Sequence, residues 1–442
     1  MQPKSSPPST GLHLFQSQLS AILNPKHPLI RLGEVIDWAQ IDEAVEPLYT
    51  SNFGRPGCST RVMVGLHFLK YAFDESDESV VERWVDNPYW QSFCGEQYMQ
   101  HKLPIDPSSM TRWRNRVGDD LFEQLLSLTI NAAKAYGLVK ANDLNQVNVD
   151  TTVQEKAIAF PTDARLYHKA QRTLVREAKR RGIQLRQSCL RVGKRALFKQ
   201  GRYAHAKQFK RARKQTKKLK TSLGRVVRDI ERKAGNQMDE RLQTLLARGH
   251  RLLEQERKSK HKLYSFHAPE VVCISKGKAH KRYEFGCKAG IATSSRGNWA
   301  LIALVLEGSP YDGHTLQATV DQVRRVTGLE SNLLSVDKGC RGHDYQGAAE
   351  VHIAGKKAKT RRLKRLLKRR IAIEPCIGHI KNDDRMDRNH LKGAQGDKIN
   401  ALSAAIGFNL RKLLKGILLR LYWLQLRRTV TSTWSTAIGH AA

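Results

Sequence analysis

The feature that most constrains this 442-residue chain is a short apolar run that stops on a carboxylate. Leu333, Leu334 and Val336 lead into Asp337, and Lys338-Gly339-Cys340-Arg341-Gly342-His343 follows. A run this short, ended by a glycine-containing turn, suits a strand buried on both faces. Such strands belong to mixed α/β folds, whose sites gather at the carboxyl ends of central strands. Gly339 and Gly342 let the chain turn sharply and pass close to whatever Asp337 holds. Asp337 is therefore either a side-chain cap of the next turn or one member of an acidic site. The choice depends on whether other carboxylates converge on it.

Charge restricts the partner. A net charge of +36 and a pI near 10.1 demand a polyanion or a membrane surface. The most apolar late segment, 416–426, is short and carries Arg420, so no stretch reads as a membrane span. The first eight residues lack the apolar core of a signal peptide. Nucleic acid is the expected partner. Seven scattered cysteines without a Cys-x-x-Cys pair fit a reducing cytoplasm and argue against a zinc module.

Composition and spacing divide the chain. Residues 1–28, rich in Ser and Pro, read as a loose leader. Helical spacing predicts an all-α N-terminal DNA-binding domain over 29–140, with Ser108 and Ser109 as N-cap candidates. The helix after them would present Arg112, Arg114 and Arg116, either as a solvated basic face or as the reading face of a helix-turn-helix-like unit. Residues 165–262 read as a basic helical insertion. Between Arg165 and Lys233 stand 25 Lys or Arg against three acids, and Gly182, Gly193, Gly201 and Gly224 are expected to break it into helices. Phosphates relieve such like-charge crowding. The flanking stretches, 141–164 and 263–395, carry strand patterns and form the expected catalytic domain. Residues 396–442 close the chain with an apolar-periodic helix and a tail. No internal repeat is evident.

Period-two patterning through Val147 and Val149 ends on a second carboxylate, Asp150. The strand order allows a late helix to bring Glu374 to both aspartates. Three converging carboxylates repel one another at neutral pH, and divalent cations relieve that repulsion. Two ions about 4 Å apart suit phosphodiester displacement. Asp383, Asp384 and Asp387 are rivals for the third position, although their polar run reads as a solvated, charge-paired face. His343 and His379 suit hydrogen bonding or DNA contact better than magnesium. Trp299 reads as packing at a strand start, with base stacking as the alternative.

From about Leu29 to Arg420 the chain resembles the bacterial insertion-sequence transposases of the DDE type, in their IS-five-like branch. Asp150 in Val-Asp-Thr-Thr and Asp337 in Val-Asp-Lys-Gly match the family's two aspartates. Arg370, Glu374 and Lys381 match its signature around the third carboxylate, whereas Leu367 stands where the family has a tyrosine. The resemblance implies an RNase H-like core with two Mg²⁺ or Mn²⁺ ions held by Asp150, Asp337 and Glu374. It implies cutting of double-stranded DNA at terminal inverted repeats and joining of the freed 3′-OH to target DNA, by at least a dimer on DNA in the bacterial cytoplasm. Arg370, Lys381, Lys338 and Arg341 become candidate DNA contacts, with surface charge or a structural ion pair as the alternative for Arg370 and Lys381. A hydrolysis-only nuclease of the same fold and a catalytically dead basic DNA-binding protein remain rival readings.

Overall fold

The computed structural model describes residues 17–49, 57–235, 238–256, 258–275, 281–355 and 360–439. The chain forms two compact units, Met1–Gln154 with Lys288–Ala442, and Glu155–Cys287.

The first unit opens with helices: α1 (Leu19–Ile22), α2 (Pro28–Val35), α3 (Trp38–Val45), α4 (Thr60–Ala72), α5 (Asp77–Asp86), α6 (Pro88–Phe93), α7 (Ser108–Ala135) and α8 (Ala141–Leu144). Local chemistry sets their starts. The Ser59 hydroxyl accepts the Val62 N–H at the head of α4, and Ser76 and Ser79 form a reciprocal capping box on α5. At α7 the expected serine cap is replaced by Asp106, whose carboxylate accepts the Ser108 N–H at 2.9 Å. Gly118, at φ 75°, interrupts α7. Residues 17–28 are not a loose leader. Gln18 bridges to Tyr98, and Leu19 is buried. Residues 1–16 of that leader lie outside the described residues.

The strands follow: β1 (Gln146–Glu155), then β2 (Val272–Ile274) and β3 (Glu284–Ser294), and finally β4 (Ala300–Leu306), β5 (Leu333–Val336) and β6 (Glu350–Ile353). Within the first unit the order across the sheet is β4-β3-β1-β5-β6. β3 and β4 are antiparallel, whereas β1, β5 and β6 run parallel. β5 is buried at all four residues, as its apolar run predicts. β1 does not stop at Asp150 but continues to Glu155, although its pairing with β5 covers only 146–148.

α13 (Leu316–Thr327), α14 (Arg361–Arg370), α15 (Ile373–Asn382) and α16 (Gly393–Gly439) complete the unit. α16 buries the apolar period expected of the closing helix. Ile399, Leu402, Ile406, Leu410 and Leu413 are buried in the core shared with α2, α4, α7 and β4. A Cβ on Gly407 would lie 2.8 Å from the Tyr71 backbone, so glycine lets α16 cross α4 closely. The buried Asn409 amide both donates to and accepts from the Ala300 main chain. Asn400 donates to Gln154, tying the end of β1 to the same helix.

The second unit carries α9 (Asp163–Arg180), α10 (Leu190–His205), α11 (Phe209–Ala234) and α12 (Glu240–Glu254), with β2 and the start of β3. It is broader than the expected 165–262 and has its own core of Leu166, Leu174, Leu223, Val227, Ile230 and Leu246. Of the four glycines expected to break its helices, only Gly182 lies between helices; Gly193, Gly201 and Gly224 are helical. A Cβ on Gly193 would meet the Gln171 side chain at 2.7 Å, so close packing explains that glycine. All three acids of the basic stretch are paired within the unit. Glu177 holds Arg180, Arg181 and Arg241; Asp229 holds Arg232 and Lys233; Glu231 meets His250.

Candidate active site

The parallel register of β1 and β5 pairs Gln146 with Leu333, Val147 with Leu334 and Asn148 with Ser335. Carried on by two residues, it sets Asp150 beside Asp337, on neighbouring strands about 4.8 Å apart. The β1–β5 pairing ends at Asn148 and Ser335, so the two strands part where these carboxylates stand. This is the convergence that a lone Asp337, equally suited to capping a turn, could not establish.

A guanidinium joins the two. Arg370, the last residue of α14, places Nη2 3.0 Å from Asp150 Oδ2 and Nη1 3.5 Å from Asp337 Oδ1. It reaches them because Leu366 and Arg370, one turn apart, are the buried residues of α14. The Arg370 side chain is 7% exposed, whereas that of Asp337 is 52% exposed. Arg370 Nε is buried and has no hydrogen-bond partner among the described residues. Asp150 Oδ1 also accepts the Thr151 N–H at 2.7 Å.

A further acid that spacing did not single out sits against the same strand ends. Asp312, between β4 and α13, accepts the Thr151 hydroxyl at 2.8 Å and pairs with the buried Lys288 at 2.6 Å. A Cβ on Gly339 would approach the Asp312 carboxylate to 2.9 Å, so the glycine after Lys338 permits that closeness. Burial, and then the charges of Asp312, Asp150 and Asp337, push the Cys340 thiol up to about 11. Three carboxylates, Asp150, Asp312 and Asp337, thus lie near Cys340, with Arg370 and Lys288 as their buried partners. The only sequence cue to Asp312 was its place in a Gly/Pro-rich turn, which marks a loop and not an acid.

Glu374 is exposed in the first turn of α15, four residues beyond Arg370. Its side chain makes no hydrogen bond or ion pair with the described residues, and among them no group of three or more His, Cys, Asp or Glu could hold a metal ion. Two of the three expected carboxylates therefore converge, joined by a cation. The donor chemistry of the pair still fits a hard divalent ion, because Asp150 and Asp337 offer only oxygens from adjacent strands.

The predicted DNA contacts divide. Arg112 and Arg116 are exposed on α7, where Arg116 lies over the Tyr49 ring. Arg114 is not on that face. It is 2% exposed and pairs with Asp77 at 2.5 Å, beside His67. Three consecutive arginines at every second residue cannot share one side of a helix, and Arg114 points with Trp113 into the core. Burial, opposed by the Met63 carbonyl, lowers the His67 imidazole to about 3. Lys338 and Arg341 are exposed beside Asp337, and Lys381 is half-buried at the end of α15.

Among the rival acids, Asp383 is held low by hydrogen bonds from Arg411 and His379. Asp384 is not on a solvated face. It is fully buried, and burial raises its carboxyl to about 8. Trp299 packs as expected, 4% exposed with Lys412 over its ring.

The family model described as Transposase domain (DUF772) matches residues 17–116, and the one described as Transposase DDE domain matches residues 247–410. An uncharacterized protein, ORF8 in the nfe locus of Rhizobium meliloti, is 55% identical over 207 residues, 47% of this chain and 100% of that protein. The chain belongs to the insertion-sequence transposases of the DDE type. No solved structure matches it. In this transposase Asp337, Arg370, Glu374 and Lys381 fall inside the DDE match, whereas Asp150 and helices α9–α11 fall in neither matched segment. No helix among the described residues is long and apolar enough to cross a membrane.

Proposed function

We propose that this transposase cleaves DNA at the terminal inverted repeats of its element and transfers the freed 3′-OH into target DNA. The observation that supports the reading most is the β1–β5 register, which sets Asp150 beside Asp337 at the open end of a parallel pair. The order β4-β3-β1-β5-β6, with a central β1, is consistent with an RNase H-like core. Asp150, Asp337 and Glu374 are the residues proposed to hold Mg²⁺ or Mn²⁺, two ions per site. Bound there, such ions supply charge stabilisation at the attacking and leaving oxygens.

The chain's own groups do the rest. Thr151, whose hydroxyl donates to the Lys288-paired Asp312, fixes the main chain beside Asp150. Lys338 and Arg341, exposed next to Asp337 in the chain, and Lys381 on α15 are the cations proposed to meet phosphate oxygens and so orient the scissile strand. Arg112 and Arg116 belong to the proposed inverted-repeat contact of the N-terminal helices. The second unit offers a duplex clamp: residues 190–220 carry thirteen Lys or Arg and no acid.

The test uses oligonucleotide duplexes that carry the element's ends, intact and pre-cleaved, with Mg²⁺ or Mn²⁺. Cleaved and joined products are expected with the natural chain. Asp150→Asn, Asp337→Asn and Glu374→Gln are each expected to lower the rate by about 10³-fold, equivalent to about 4 kcal/mol. Hydrolysis without joining would favour a nuclease of the same fold. Binding without any chemistry would leave a basic DNA-binding protein.

A further inference from the structure

Arg370 occupies the ground that a cation at the Asp150–Asp337 pair must take. Its two terminal nitrogens face one carboxylate each, at 3.0 and 3.5 Å. A guanidinium and a divalent ion compete for the same oxygen lone pairs, because both are held by the same negative charge. Removing Arg370 would leave two adjacent carboxylates to repel each other, so the contact stabilises the pair while closing it.

The contact is also built to be released. Nε of Arg370 is buried without a partner among the described residues, which costs the closed arrangement part of what its two ion pairs supply. α14, which carries Arg370, has the sequence Arg-Arg-Leu-Lys-Arg-Leu-Leu-Lys-Arg-Arg and contains no acid. Arg361, Arg362, Lys364, Arg365 and Lys368 face solvent. A phosphodiester backbone lying on that face would present acceptors to Arg370 from the other side of the helix end. The Asp337 side chain is half-exposed, so the pair that holds Arg370 is open to solvent on that side.

We propose that Arg370 is an internal counter-ion that closes the Asp150–Asp337 pair to divalent cations until a DNA phosphate bound along α14 draws it away. DNA binding and metal binding are then coupled with positive sign, each favouring release of the same guanidinium. A chain without DNA is thereby kept from loading metal and cutting at random.

The inference rests on the proposed aspartate pair, and its test separates the two. Mn²⁺ binding to the full chain is measured by electron paramagnetic resonance and by calorimetry, with and without a duplex oligonucleotide. For the natural chain the duplex is expected to tighten Mn²⁺ binding at least about tenfold. Arg370→Gln is expected to bind Mn²⁺ at least about tenfold more tightly without DNA and to lose the enhancement. Arg370→Lys keeps the charge but cannot bridge two carboxylates, so it should fall between them, and it serves if the glutamine variant fails to fold. Unchanged or weaker Mn²⁺ binding in these variants, or no effect of duplex on the natural chain, overturns the counter-ion role. Unchanged Mn²⁺ binding in Asp150→Asn instead overturns the aspartate pair as the metal site.

Discussion

At the scale of single residues, burial decides what a charge is for. Arg114 and Arg370 look alike in the sequence, each set among other basic residues, yet both are buried and each is spent on aspartates: Asp77 for the first, Asp150 and Asp337 for the second. Asp384 is the converse, a carboxylate in a polar run that the fold covers completely. Its carboxyl, raised to about 8 by burial, is neutral in the folded chain at pH 7, whereas in the unfolded chain it ionises above about pH 4. The unfolded state therefore sheds a proton that the folded state keeps, and this group's contribution to stability falls as pH rises from about 4 to about 8. Asp384→Asn is expected to flatten that fall and to stabilise the fold at pH 8 by at least about 1 kcal/mol. Chemical denaturation of both forms at pH 5 and pH 8 reads it. A larger gain at pH 5 than at pH 8 would refute it.

At the scale of elements, helices divide by how they handle charge. α16 carries an apolar period from Ile399 to Ile417 and packs it as the spine of the first unit. α10 and the first half of α11 take the opposite course. Their apolar residues suffice for one buried stripe, with Gly193, Ala196, Ala212 and Leu219 inside, and the rest of the surface carries most of their Lys and Arg. Phe198 is exposed among those cations, with Arg202 beside its ring. A surface of this kind gains affinity by releasing counterions from a duplex. Replacing Lys194, Arg195, Lys199 and Arg202 with glutamine is expected to weaken duplex binding. It should also flatten the plot of log affinity against log salt, by about one unit for each phosphate no longer neutralised. Fluorescence anisotropy across a salt series measures this, and an unchanged slope would remove α10 from the DNA-binding surface.

At the scale of the molecule, the proposed reaction asks one chain to act on two element ends, and closed symmetry makes a dimer the simplest answer. Mass measurement of the full chain with end-bearing duplex is expected to show two copies per paired-end complex; a persistent single copy holding both ends would contradict it. The sequence by itself determined the elements and the candidates. The Leu333–Val336 run marked a doubly buried strand, the +36 charge pointed to a polyanion or a membrane surface, and Asp150, Asp337 and the spacing of Arg370, Glu374 and Lys381 supplied the family resemblance. These are local properties, set by periodicity and residue chemistry within a few turns of chain. Tertiary structure decided which of them meet. The register of two strands nearly 190 residues apart in sequence set Asp150 beside Asp337. The packing of α14 turned Arg370 inward between them, and a loop brought Asp312 to the same strand ends. Such meetings depend on distance in space, and a linear chain carries no record of which distant side chains will share a face.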